Sequence, residues 1–176
     1  LAIKRHGHSG LAREPGHAVA GILRQRAHRF IVLPSQVVDA ARRGELGGEI
    51  AVVVSNVEGA PGLERARQAG IPAVFRDHRG KAREAFDAEI VEILRAHHVD
   101  LVCLAGFMRL VSPVFVRAFP GRIVNIHPAL LPAFPGLDAQ RQAWEHGAKV
   151  SGATVHFVDE GLDSGPIVAQ EAVPVF

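Results

Sequence analysis

Residues 81–106 read KAREAFDAEIVEILRAHHVDLVCLAG, and this stretch decides the fold. Phe86, Ile90, Ile93 and Leu94 recur at spacings of three and four, which predicts a helix over 81–97 with charged residues on its other faces. Residues 99–105 follow as a run of strand length, apolar but for Asp100, and Gly106 ends it. A helix feeding a strand that is apolar on both faces is half of a βαβ unit, the element of a parallel sheet covered by helices. His97 and His98 close the helix and read as solvated.

The alternation continues in both directions. Upstream, residues 30–33 read as a strand, 37–43 as a short helix and 50–54 as a β-branched strand ending at Ser55-Asn56. A helix over 63–69 stopped by Gly70 and a short strand over 72–75 follow. Downstream, 113–119 and 139–146 read as helices, with Trp144 packed within the second, and Ile123 leads a strand into Asn125-Ile126-His127-Pro128. The final strands, 153–158 and 167–175, flank the turn 159–165 and lie too close for a crossover, so they pair antiparallel. The predicted fold is α/β: a mostly parallel, open, twisted, Rossmann-like sheet with helices on both faces and an antiparallel strand pair at its C-terminal end.

Composition narrows the function. With 176 residues, 48% hydrophobic and 22% charged, the chain has the balance of one soluble globular domain. One cysteine, Cys103, excludes disulfide frameworks and thiolate metal clusters. No apolar stretch approaches the roughly 18 residues of a membrane span and no signal-peptide block follows the start, so a cytoplasmic enzyme or binding domain is expected. Residues 1–29 carry a net charge of +5 and the remainder −3. That basic arm has no aromatic residue to stack a base. It reads as a solvated or poorly ordered end rather than a nucleic-acid or membrane contact.

Open α/β sheets bind ligands beyond the carboxyl ends of their strands. That rule selects Ser55-Asn56, Gly106 to Arg109, and Asn125 to Pro128. Asn125 and His127 are two apart on a strand and so share a face. An amide and a protonated imidazole there can both donate to an oxyanion. Asp163, in the turn between the last strands, would favour the imidazolium if brought beside His127. On residue type alone, a histidine near a strand end is more often structural than catalytic, the more so in a chain with ten histidines, and Asp163 reads as an ordinary turn residue.

The run Asn125-Ile126-His127-Pro128-Ala129-Leu130-Leu131-Pro132, with Phe134-Pro135-Gly136 and Leu162-Asp163-Ser164-Gly165-Pro166-Ile167, resembles the folate-dependent formyltransferases. The nearest branch is the one that formylates glycinamide ribonucleotide in purine synthesis. Val53-Val54-Ser55-Asn56, Gly62-Leu63-Glu64-Arg65-Ala66, Leu104-Ala105-Gly106-Phe107-Met108-Arg109 and Gly152-Ala153-Thr154-Val155-His156-Phe157-Val158 carry the same likeness. It spans roughly residues 37–176 as several motifs in order.

The resemblance implies a transferase of one-carbon metabolism. The formyl donor is 10-formyltetrahydrofolate, and the acceptor is the amine of glycinamide ribonucleotide. No metal, nucleic acid or membrane takes part. Asn125, His127 and Asp163 match the catalytic positions. Arg83, Met108, Arg109, Leu110, Val111, Asn125, Asp159, Glu160, Gly161 and Leu162 match folate-binding positions. Gly106, Met108 and Pro128 match positions beside the ribonucleotide. His156 reads as a hydrogen-bonded core histidine. The alternatives are a formyltetrahydrofolate deformylase, which gives the formyl group to water, and an inactive folate-binding remnant.

Several departures accompany the likeness. The family's glycine-rich phosphate loop is replaced by Leu33-Pro34-Ser35-Gln36, which offers no glycine and one amide fewer. Gly7-His8-Ser9-Gly10 is no substitute, because no strand leads into it. Residues 1–36 read as an atypical basic segment, disordered or out of frame, ahead of a formyltransferase domain over 37–176 that stops short of the family's last helix. Asp138 stands where the family often has histidine.

Overall fold

The computed structural model describes residues 2–4, 34–107 and 109–176. Seven strands form one sheet: β1 (Ala2–Lys4), β2 (Glu49–Ser55), β3 (Ala73–Phe75), β4 (Leu101–Leu104), β5 (Ile123–His127), β6 (Val150–Phe157) and β7 (Ile167–Pro174). Five helices accompany them among the described residues: α1 (Pro34–Arg42), α2 (Pro61–Gln68), α3 (Arg83–Ala96), α4 (Pro113–Ala118) and α5 (Ala139–Glu145). The strand order is β3-β2-β1-β4-β5-β6-β7. β2 pairs parallel with β3, and β4 with β5, while β1 lies antiparallel between β2 and β4. β6 is antiparallel to both β5 and β7. Five strands therefore point one way and only β1 and β6 oppose them, which gives the expected α/β sheet its mostly parallel sense.

Two apolar cores cover the sheet. Val53 of β2 joins Val38 of α1 with Leu63 and Ala66 of α2. Its neighbour Val52 joins Phe86, Ile90, Phe115 and Ile123, the core under α3 and α4. Adjacent strand residues point to opposite faces, so helices do cover both sides. Leu63 and Ile123 are fully buried, and each contributes about 1.5–3 kcal/mol on the scale of apolar burial. α2 and α4 each open with proline in the first turn, where the missing amide costs no hydrogen bond.

Several expectations are corrected. Ala2–Lys4 form a central strand instead of a solvated end, so a strand does stand ahead of the segment 7–10, against the expectation that none leads into it. The expected strand over 30–33, the segment 7–10 and Met108 lie outside the described residues. Residues 34–36 form the first turn of α1. Trp144 is exposed, not packed. His97 is half-buried, with its Nδ1 2.8 Å from the Ile93 carbonyl. The charged residues of α3 do not all face solvent, because Asp87 is 1% exposed among Phe86, Ile90, Val91 and Leu94. The connection from β5 through α5 does not cross over. β6 starts beside the carboxyl end of β5 and runs back along it, with His127 opposite Thr154 and Asn125 opposite His156. That keeps residues 128–149 at the sheet edge where ligands bind.

Candidate active site

A cavity of about 950 Å³ opens at the carboxyl ends of β4 and β5, a size suited to a cofactor-sized ligand. Asn125, His127 and Pro128 line its floor region from β5 and the residue after it, and Gly106 lines it from just beyond β4. Arg109, Leu110 and Val111 come from the segment leading into α4, and Arg83 from the first residue of α3. Asp159, Glu160, Gly161, Leu162 and Asp163 come from the turn between β6 and β7. Gly106 turns the chain at φ 64°, a left-handed conformation that glycine adopts without strain. Arg117 of α4 and Glu160 of the turn meet at 3.3 Å. This exposed pair adds little energy but joins the turn to α4.

His127 is 3% exposed. Its Nδ1 lies 3.3 Å from Asp163 Oδ2, and its Nε2 is 2.8 Å from the Phe134 carbonyl oxygen. Both neighbours are acceptors, so the ring satisfies them together only with a proton on each nitrogen. Asp163 Oδ2 also accepts the Gly136 amide at 2.8 Å. The aspartate sits at φ 50°, a left-handed value few non-glycine residues take. Such strain is found where surrounding contacts over-determine a functional position, and here the Gly136 amide and His127 supply those contacts.

His156 belongs to the same constellation. It is buried as expected, but its Nε2 lies 3.5 Å from Asp163 Oδ1 and 3.2 Å from Asn125 Nδ2. Its Nδ1 is 2.9 Å from the Phe157 carbonyl, an acceptor, which assigns that nitrogen as a donor. In the neutral ring Nε2 then accepts from Asn125, and this fixes which way the Asn125 amide faces. The signal available in the sequence was the two-residue spacing of Thr154 and His156, which places both on one face of β6. Thr154 is saturated: its hydroxyl donates to the Ala129 carbonyl and accepts from the Leu131 amide and Gln170 Nε2. It thereby holds the chain that leaves His127. Among the described residues, no group of three or more His, Cys, Asp or Glu is placed to hold a metal. No described helix is long and apolar enough to cross a membrane.

A family model described as formyl transferase matches residues 31–176, and the chain belongs to that family. The match begins six residues before the likeness read from sequence. Among its relatives, phosphoribosylglycinamide formyltransferase of Escherichia coli is 46% identical over 141 residues, covering 80% of this chain and 66% of the relative. The trifunctional purine biosynthetic protein adenosine-3 of Drosophila melanogaster is 51% identical over 164 residues, covering 88% of this chain and 12% of that protein. The crystal structure of glycinamide ribonucleotide transformylase 1 from Symbiobacterium toebii superposes with a TM-score of 0.79 at 57% identity, over 81% of this chain and 68% of that one. The chain thus spans a small part of the insect protein and about two thirds of the bacterial one.

Proposed function

We propose that this chain transfers a formyl group from 10-formyltetrahydrofolate to the amine of glycinamide ribonucleotide. The observation that carries this reading is the meeting of Asn125, His127 and Asp163 in one cavity with the segments 109–111 and 159–162. The residues present fit a folate. Leu110, Val111 and Leu162 supply an apolar slot, and Arg83 and Arg109 supply cationic hydrogen-bond donors. When bound, the folate supplies the formyl group. The chain's own residues then serve the transfer. Asn125 and the His127 imidazolium donate to the charge that develops on the formyl oxygen as the amine attacks. For this, His127 Nε2 exchanges the Phe134 carbonyl for that oxygen. Asp163 keeps the compensating negative charge beside the ring. The amine's proton passes to the departing folate nitrogen as its bond to the formyl carbon breaks, so the charges balance.

Paired titration with a 10-formylfolate analogue and glycinamide ribonucleotide, followed by product analysis, tests the proposal. The analogue is expected to bind. The ribonucleotide is expected to bind weakly, because residues 33–36 lack the glycines of a phosphate loop. Turnover should give formylated ribonucleotide. Formate as the sole product would replace the transferase by a hydrolase, and failure of the analogue to bind would remove the folate reading.

A further inference from the structure

Asp87 is a carboxylate on the apolar side of α3, 1% exposed and surrounded by hydrophobic neighbours. Burying such a group is costly unless it is hydrogen-bonded, so its partner identifies its use. The Ser112 backbone amide donates to Asp87 Oδ2 at 2.6 Å, a charge-assisted bond of the strong kind. Ser112 itself is fully buried, and its hydroxyl has no hydrogen-bond partner among the described residues. The contact is therefore made to the main chain, at the residue that ends the segment 109–112 and precedes α4. At the other end of that segment, the Arg109 guanidinium lies over the ring of Phe86, 5.4 Å from its centroid. Phe86 and Asp87 are consecutive on α3. One turn of one helix thus holds both ends of the segment whose Arg109, Leu110 and Val111 line the cavity.

We infer that Asp87 is a positioning residue for ligand binding: through the Ser112 amide it fixes the 109–111 wall of the cavity against α3. It touches no substrate. The role rests on the folate reading above, since that wall is where the folate is proposed to pack. A main-chain tie has a consequence that a side-chain tie lacks. The wall's backbone donors and acceptors are set in place whatever side chains occupy 110 and 111, and a planar heterocycle is read by such backbone groups. Pre-setting them also avoids an ordering cost on binding.

The test uses the full chain with Asp87→Ala, Asp87→Asn and, as a control, Ile90→Val. Ile90 is buried one turn further along α3 and faces the same core. Asn keeps a carbonyl acceptor for the Ser112 amide, whereas Ala removes it. Two quantities are read: affinity for a 10-formylfolate analogue, and amide hydrogen exchange in peptides covering 109–115. Asp87→Ala is expected to weaken the analogue about tenfold, the effect of losing a hydrogen bond to a charged group. It should also speed exchange in that segment more than elsewhere. Asp87→Asn should restore most of both. Ile90→Val should lower the melting temperature with affinity and segmental exchange unchanged. Equal affinity and exchange in wild type and Asp87→Ala, or a uniform loss matched by Ile90→Val, would overturn the inference. If wild type does not bind the analogue, the folate reading falls, and the exchange comparison still decides whether Asp87 holds the segment.

Discussion

Asp163 stands between two histidines: its Oδ2 lies 3.3 Å from His127 Nδ1 and its Oδ1 lies 3.5 Å from His156 Nε2. The two rings come from neighbouring antiparallel strands. The acid arrives from a turn beyond the second strand.

Replacing Asp163 by Asn keeps an acceptor for the Gly136 amide and removes the charge beside His127. The transfer rate is expected to fall by about 10²–10³, the cost of losing one oxyanion-stabilising donor, with little change in affinity for the folate analogue. His127→Ala should cost a similar amount. In the double variant, single-turnover rates should fall by less than the product of the two losses, because the residues act as a unit. Undiminished turnover in Asp163→Asn, or fully multiplicative losses, would reduce the aspartate to a turn residue.

His156→Leu removes the acceptor that orients the Asn125 amide and one neighbour of Asp163. The expected result is a kcat reduced about tenfold, the scale of a hydrogen bond lost in a polar network, with KM for the folate nearly constant. His156→Gln restores polar contact and should recover part of kcat. If KM rises and kcat holds, the residue serves binding and not orientation.

Gly165 precedes the return strand, and a methyl group there would overlap the Phe157 carbonyl oxygen. Gly165→Ala should lower stability by roughly 1–3 kcal/mol, as overpacking does, and displace the turn that presents Asp163. Gly59, by contrast, has open space around its α-carbon, and Gly59→Ala should melt with the wild type. Thermal unfolding of the pair checks both.

Hydrogen bonds from the Arg79 side chain and amide hold the Asp77 carboxyl down at about 2. An unfolded aspartate titrates near ~3.9. The folded value is the lower one, so the contact favours the native state above about pH 4, and that contribution disappears as pH falls through about 2. Carbon NMR of the Asp77 carboxyl should show this low midpoint, and Arg79→Ala should return it towards the ordinary range. A wild-type midpoint near 4 would show that the pairing is absent in solution.

Local pattern made much of the fold readable. The period of α3, the β-branched β2 and the proline start of α4 lie within short windows, and their boundaries agree with the structure to a residue or two. Asn125 and His127 were legible as a pair because strand geometry alone puts them on one face. Three relationships were not. Asp87 lies on the buried face of α3 with Ile90, Val91 and Leu94, but its partner is a main-chain amide 25 residues away, which residue type does not show. His156 needs the register of β6 on β5 before it can be seen to meet Asn125 and Asp163. The Phe134 carbonyl on His127 is a main-chain group, invisible to residue type. Each depends on long-range placement of backbone.

The β5–β6 register also governs how the chain folds. Side chains alternate across a sheet, so slipping β6 by one residue would send Thr154 and His156 to the opposite side together. The exit from His127 would lose its anchor at the moment Asn125 and Asp163 lost their shared neighbour. The pairing of these two strands is therefore an all-or-nothing gauge: a chain that zips it out of step keeps every residue of the site and loses their arrangement.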